Sequence, residues 1–278
     1  MKGLASRTTA VLTAALFVSA AAEAGPWAVG RGHYYSKLSY QLRRSTTLAT
    51  PDGTLFEIPV FTQQDSAAYL AYGVRSWLTV TADLPFLRSS NLRDMPDELQ
   101  RVTGIGDMRL GAQVQLGQKG PLVFAVRGLV QAPTGDERRG MGLLPTGSGA
   151  WEGASYVGAG RSFASGRGYG FAEIGHHLRG SGLRDGFLYE AQVGWNVTPR
   201  VVLAANLRGL EPWSDTPGVI RPGSFVGTGD GTAYLTYGPT AIVRLSGAWG
   251  LQLDVESAVR AKNIAVGTVF RIGVTYQK

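Results

Sequence analysis

Five stretches of this chain alternate strictly between apolar and polar residues, and the polar half of the alternation is charged. Leu78, Val80, Ala82, Leu84 and Phe86 share one parity, while Thr79, Thr81 and Asp83 take the other. Met108, Leu110, Ala112, Val114 and Leu116 oppose Asp107, Arg109, Gln113 and Gln115 in the same way. Phe187 to Trp195 opposes Glu190, Gln192 and Asn196, and Trp249 to Val255 opposes Gln252, Asp254 and Glu256. At the C-terminus Ile264, Val266, Phe270, Ile272, Val274 and Tyr276 oppose Arg271 and Thr275. A period of two is the mark of a strand whose faces differ. A soluble β-core could not hold so many mid-strand charges, so the apolar face must be the outer one.

Weaker alternation fills the gaps and gives twelve strands, near 33–43, 66–75, 77–87, 105–116, 122–132, 153–163, 169–179, 187–196, 201–210, 232–245, 249–259 and 264–276. The connections alternate in length. Long ones fall at 45–65, 88–104, 133–152, 180–186 and 211–231, and short ones at 75–76, 117–121, 164–168, 197–200 and 246–248; only 260–263 breaks the rule. Short turns at one end and long loops at the other describe an up-and-down outer-membrane barrel. In lipid every backbone N–H and C=O must be paired, so the barrel closes on an even strand number, and twelve satisfies this. The expected fold is therefore all-β, one antiparallel transmembrane barrel over residues 25–278. Glycine, 39 of 278 residues, suits strands that curve and turn.

The polar parity assigns Asp83, Asp107, Arg109, Arg127, Arg161, Glu173, Arg179, Glu190, Arg208, Arg244, Asp254, Glu256 and Arg271 to the lumen, as a charge ladder or a substrate path. The two signs nearly balance. On the apolar parity Tyr34, Trp195, Trp249 and Tyr276 lie toward the turns and Phe86, Phe187 and Tyr189 toward the loops, where interfacial aromatic girdles belong.

Lys2 and Arg7, an apolar run from Ala10 to Ala22 and the small-x-small triplet Ala22-Glu23-Ala24 form a secretory leader, 1–24, cleaved after Ala24. It is too short to span a bilayer. With no cysteine, the chain has neither disulfides nor a thiolate metal site. His176 and His177 are adjacent in a strand and point to opposite faces, so no metal or other cofactor is expected. His176 sits where a lipid-facing Ser/His pair would lie, which makes a lipid-acting enzyme one alternative. No serine stands in a G-x-S-x-G setting, and no catalytic residue is assigned. Arginines scattered over alternate strand positions do not make a nucleic-acid surface.

Tyr72-Gly73-Val74-Arg75-Ser76-Trp77-Leu78-Thr79-Val80, Leu84-Pro85-Phe86, Gly104-Ile105-Gly106-Asp107, Pro133-Thr134-Gly135 and Leu144-Pro145-Thr146-Gly147-Ser148-Gly149 resemble the outer-membrane proteins of the phenol-degradation meta-pathway family. The resemblance implies a barrel in a Gram-negative outer membrane, associated with uptake of aromatic or other hydrophobic compounds. The expected function is passive passage of small molecules. The second alternative is a structural or surface-interaction barrel with a closed lumen. Expected partners are outer-membrane lipids, a small-molecule substrate and the barrel-assembly machinery; where many such barrels finish on Phe or Trp, this sequence finishes Tyr276-Gln277-Lys278, with its aromatic two positions early.

Overall fold

The computed structural model describes residues 25–93, 99–137, 144–214 and 219–278, so the leader expected at 1–24 lies outside the described residues. Strands β1 (Tyr34–Ala49), β2 (Leu55–Arg75), β3 (Leu78–Arg93), β4 (Leu99–Gly104), β5 (Met108–Lys119), β6 (Leu122–Ala132) and β7 (Glu152–Phe163) form the first half. β8 (Gly168–Arg179), β9 (Gly186–Thr198), β10 (Val201–Pro212), β11 (Ala233–Arg244), β12 (Trp249–Lys262), β13 (Ile264–Val266) and β14 (Val269–Gln277) follow, with one short helix, α1 (Pro222–Val226), before β11.

Each strand pairs antiparallel with its sequence neighbours, and β1 pairs with both β2 and β14, which closes the sheet on itself. β4 and β5 are two pieces of one wall strand: β4 pairs with the upper part of β3 and β5 with the lower part, and the break falls at Ile105–Asp107. β13 and β14 likewise both pair with β1, across a break at Gly267-Thr268. The wall is therefore a closed barrel of twelve strands, of the outer-membrane kind. The closed ring itself has no free edge, while above it β4 pairs only with β3 and β13 only with β1.

The alternation reads directly into the wall. Outward positions such as Leu110 (63% exposed), Val193 (59%) and Phe270 (54%) form an apolar band, while Gln113, Glu173, Asn206 and Asp254 on the other parity are buried. Tyr34 stacks on Tyr276, which meets Trp249 edge-on, at the turn end of the seam. Trp195 packs against Phe163 at the next girdle position, and Phe187 joins Tyr189 and Trp213 toward the loops. Phe86 is exposed at the top of the apolar part of β3.

Two connections expected to be loops are strand. β1 and β2 continue as a paired ribbon to a tight turn at Thr50–Thr54. Pro59 hid this, because a proline cannot donate to a ladder. It is accommodated where the register jumps from Ser45↔Phe61 to Thr47↔Glu57, an irregularity in which pairing is already broken. β3 and β4 extend in the same way above Arg88.

Candidate functional site: a bore with an inner plug

The turn end is filled by the segment that precedes β1. Trp27, 9% exposed, lies inside the barrel with its ring edge-on to Tyr169 and Phe171, among the inward side chains Val123 and Val202. Its carbonyl accepts from Gln113 Nε2 at 3.1 Å. The next two amides donate to the wall, Ala28 to Gln115 Oε1 (3.0 Å) and Val29 to Thr79 Oγ1 (2.8 Å). Gly160 makes room for this segment: a Cβ there would stand 2.7 Å from both Pro26 and Trp27.

The loop end is narrowed by two inturned loops, and a second cavity of about 420 Å³, lined by Gly147, Ser181, Arg221 and Thr228, lies between them. Leu48, Phe61, Leu92, Val102, Leu144, Val226 and Ala265 form a buried apolar cluster, with Phe225 of α1 packed on it. Arg43 Nη2 donates to the Phe225 carbonyl at 2.7 Å and to Gln63 Oε1 at 2.6 Å. Asp107, in the break between β4 and β5, clamps the other loop. Its Oδ1 accepts from the Gly135 amide (2.9 Å), and its Oδ2 from the Ser148 amide (2.6 Å) and hydroxyl (3.1 Å). Gly135 and Gly147 touch backbone to backbone, and a Cβ on Gly147 would collide with the Asp107 carboxylate. The glycine-rich motifs at 104–107, 133–135 and 144–149 thus converge on one buried carboxylate. Asp107→Ala would leave the Gly135 and Ser148 amides without their acceptor, and a loss of about 2–4 kcal/mol of local stability is expected. Hydrogen exchange at Gly135 and Ser148 measures it; unchanged protection at both amides would show that Asp107 does not hold the loop.

Asp230 secures the second loop through the Arg184 amide and guanidinium (2.9 and 3.1 Å). Partial burial opposes ionisation, but the hydrogen bonds from Arg184 outweigh it and hold the carboxyl below its ordinary value. A depressed folded-state value stabilises the loop above the ordinary carboxylate range, and that contribution disappears as pH falls through the folded value. Limited proteolysis of this loop should therefore accelerate in acid and not in mild alkali.

Between the inner segment and the loops lies a cavity of about 420 Å³. Around it charged and amide side chains from ten of the wall's strands form a belt. Asp83 on β3 faces Arg109 on β5 at 4.0 Å, and Arg109 Nε donates to Gln131 on β6 at 2.8 Å. Arg127 on β6 reaches Glu173 on β8 (2.5 Å) and Glu190 on β9 (3.9 Å), lying over the Tyr156 ring of β7 as it passes. Arg208 on β10 joins Glu190 (3.1 Å) to Glu256 on β12 (3.0 Å). Arg271 on β14 meets Glu256 and Asp254 at 3.8 Å and donates to Gln41 Oε1 on β1 at 2.7 Å. Gln41 Nε2 donates to Asp65 on β2 (3.2 Å), and Asp65 pairs with Arg88 back on β3 (2.6 Å). Five arginines meet six carboxylates, each paired along the wall, and the centre stays free.

Of the residues assigned to the lumen from sequence, Asp83, Asp107, Arg109, Arg127, Glu190, Arg208, Asp254 and Arg271 border the cavity, and Glu173 and Glu256 stand behind their arginine partners. Arg179 lies toward the loop end, bonded to Glu152 and the carbonyls of Thr228 and Gly229. Arg244 is at the turn end, donating to the Pro199 carbonyl. Arg161 is a correction. It is exposed and paired with Gly170 on the outward row, because on β7 the inward residues are Glu152, Ala154 and Tyr156. Sequence reasoning missed Arg43, Asp65, Arg88 and Glu152, which lie in stretches expected to be loop or at its border.

His176 stands opposite Ser155 in the ladder on the outer wall. Its ring meets Trp213 edge-on and its Nε2 is 3.9 Å from Asp185. Among the described residues no group of carboxylates and histidines suits a metal ion.

A family model described as "Putative MetA-pathway of phenol degradation" matches residues 53–272. Among solved structures, an outer membrane channel of Pseudomonas putida F1 superposes with a TM-score of 0.70 at 15% identity, covering 91% of this chain and 98% of that one. The porin NanC follows at 0.53 and 7% identity, covering 87% and 98%. The translocator domain of the autotransporter NalP from Neisseria meningitidis gives 0.50 at 13%, covering 98% and 99%. At these identities the likeness is one of fold. No curated protein matches the sequence.

Proposed function

The chain belongs to the MetA-pathway of phenol degradation family, whose model spans most of it, and on that premise we propose that it is a passive outer-membrane channel for small, ring-sized organic compounds. The cavity at mid-barrel carries the reading. A dry void of about 150 Å³ holds benzene, so about 420 Å³ accommodates one substituted ring with room for water. The lining favours aromatic compounds that bear a hydroxyl over bare hydrocarbons. Arginine faces and Tyr69 offer stacking and cation–π contacts, while Gln41, Gln192 and Gln252 offer hydrogen bonds. Because the belt charges are neutralised by each other, a neutral ring passes them without stripping an ion of its partner.

In this reading residues 1–24 are the cleaved export leader, the turns face the periplasm, and the barrel-assembly machinery inserts the chain among outer-membrane lipids. Passage is passive and requires the Trp27 segment to move. Liposomes containing the purified protein should admit phenol faster than empty ones, and a deletion strain should accumulate it more slowly. If neither rate changes, and the protein lacking its inner segment carries no current, the barrel is not a channel.

A further inference from the structure

The turn end of the barrel contains no acidic residue. The stretches centred on its five turns, 66–82, 108–135, 153–172, 191–210 and 231–253, are free of Asp and Glu, and the first carboxylates are met at mid-barrel. Yet Arg75, Lys119, Arg161, Arg167 and Arg200 all project there, exposed and without a carboxylate partner among the described residues.

Three of these cations converge on the outer wall. Lys119 pairs with Leu122, Leu122 with Arg161, and Arg161 with Gly170, so Lys119 and Arg161 share one outward row two strands apart. At strand spacing that is roughly 10 Å. Arg167 reaches the same place from the following turn, its guanidinium 5.6 Å from the centre of the Trp195 ring. Gly170 has no side chain to fill the row beside Arg161, and the resulting notch is floored by Val193 and flanked by Phe163. Leu122, Val193 and Trp195 expose apolar surface next to it.

We propose that this rim binds the phosphate headgroup of an anionic phospholipid of the facing leaflet, with Lys119, Arg161 and Arg167 around the phosphate and an acyl chain lying over Gly170. Charge complementarity selects the anion. The outward direction of Arg161, with Arg167 over the interfacial ring Trp195, selects a lipid over a soluble partner, since a protein approaching from the periplasm meets the turns and not the outer wall. Cations at such a surface add to lipid attraction additively, by roughly fivefold each.

Native mass spectrometry of the barrel in nanodiscs of phosphatidylcholine with a minority of phosphatidylglycerol tests this. Retained phosphatidylglycerol should exceed its share of the disc for the natural chain. It should fall by roughly fivefold per cation removed through Lys119→Gln, Arg161→Gln and Arg167→Gln. Arg93→Gln with Arg101→Gln, basic positions toward the loop end, should leave it unchanged. Gly170→Leu, which fills the notch without altering charge, should also reduce it. Heat-modifiable gel migration shows which variants are folded, and single Arg161→Gln serves if the triple variant is not. No enrichment in the natural chain, or equal enrichment in the folded variants, overturns the proposal. So does retention of polyglutamate in pure phosphatidylcholine discs without any preference for phosphatidylglycerol, which would make the partner an acidic polypeptide.

Discussion

Removing residues 25–31 should convert a nearly silent protein into one with a clear single-channel current in planar bilayers. These residues occupy the turn half of the bore, anchored by the Trp27 ring between Tyr169 and Phe171 and by amide bonds to Gln115 and Thr79. Burying the indole stabilises the seated position by about 2–3 kcal/mol. Trp27→Ala alone should therefore raise the unseated population by roughly 30- to 150-fold. Gly160→Leu attacks the same seat from the wall while the segment itself stays whole. All three changes should increase conductance, the deletion most. Equal currents in the natural chain and the deletion would mean that the segment does not block the path.

The second large effect is on ion selectivity. Arg208 is the bridge between Glu190 and Glu256, and Arg208→Gln leaves both carboxylates without their nearest cation. In the background lacking the inner segment, reversal potentials under a salt gradient should shift toward cations. One unit charge about 5 Å from the path changes the energy of a passing ion by just under 1 kcal/mol in water-like surroundings, or roughly fourfold in permeability. Adding Glu190→Gln should bring the ratio most of the way back. Arg208 is partly exposed, so the stability cost is modest, about 1–2 kcal/mol, and readable from the temperature at which gel migration changes. An unaltered reversal potential in the single variant would place the ion path elsewhere.

The wall was legible because the forces that build it act at period two. On β5, β9, β12 and β14 large apolar residues mark one face without ambiguity, and every charge assigned inward on those strands lies inward. On β7 the run Gly153-Ala154-Ser155-Tyr156-Val157-Gly158-Ala159-Gly160 puts small residues on both faces, so neither parity announced itself and Arg161 was placed on the wrong side. The inner segment left no periodic trace at all. Gly25 to Gly30 makes no strand, and its role is visible only once Phe171, Val202 and Gln113 surround it. The belt was half legible for a similar reason: Asp65 and Arg88 were at the margins of stretches read as loop, and it is their pairing with the far end of the chain, through Gln41 and Arg271, that carries the belt across the seam.

The seam between β1 and β14 governs how the molecule can be made. Tyr34 and Lys278 exchange backbone hydrogen bonds, each 2.9 Å, so the first strand's partner is the strand farthest from it in sequence. Pairing residues so far apart in sequence is slow. Trp27 stands only seven residues ahead of Tyr34. Closing the seam therefore fixes the tether of the inner segment at the mouth of the bore, so that Trp27 can leave its seat without being carried away from it.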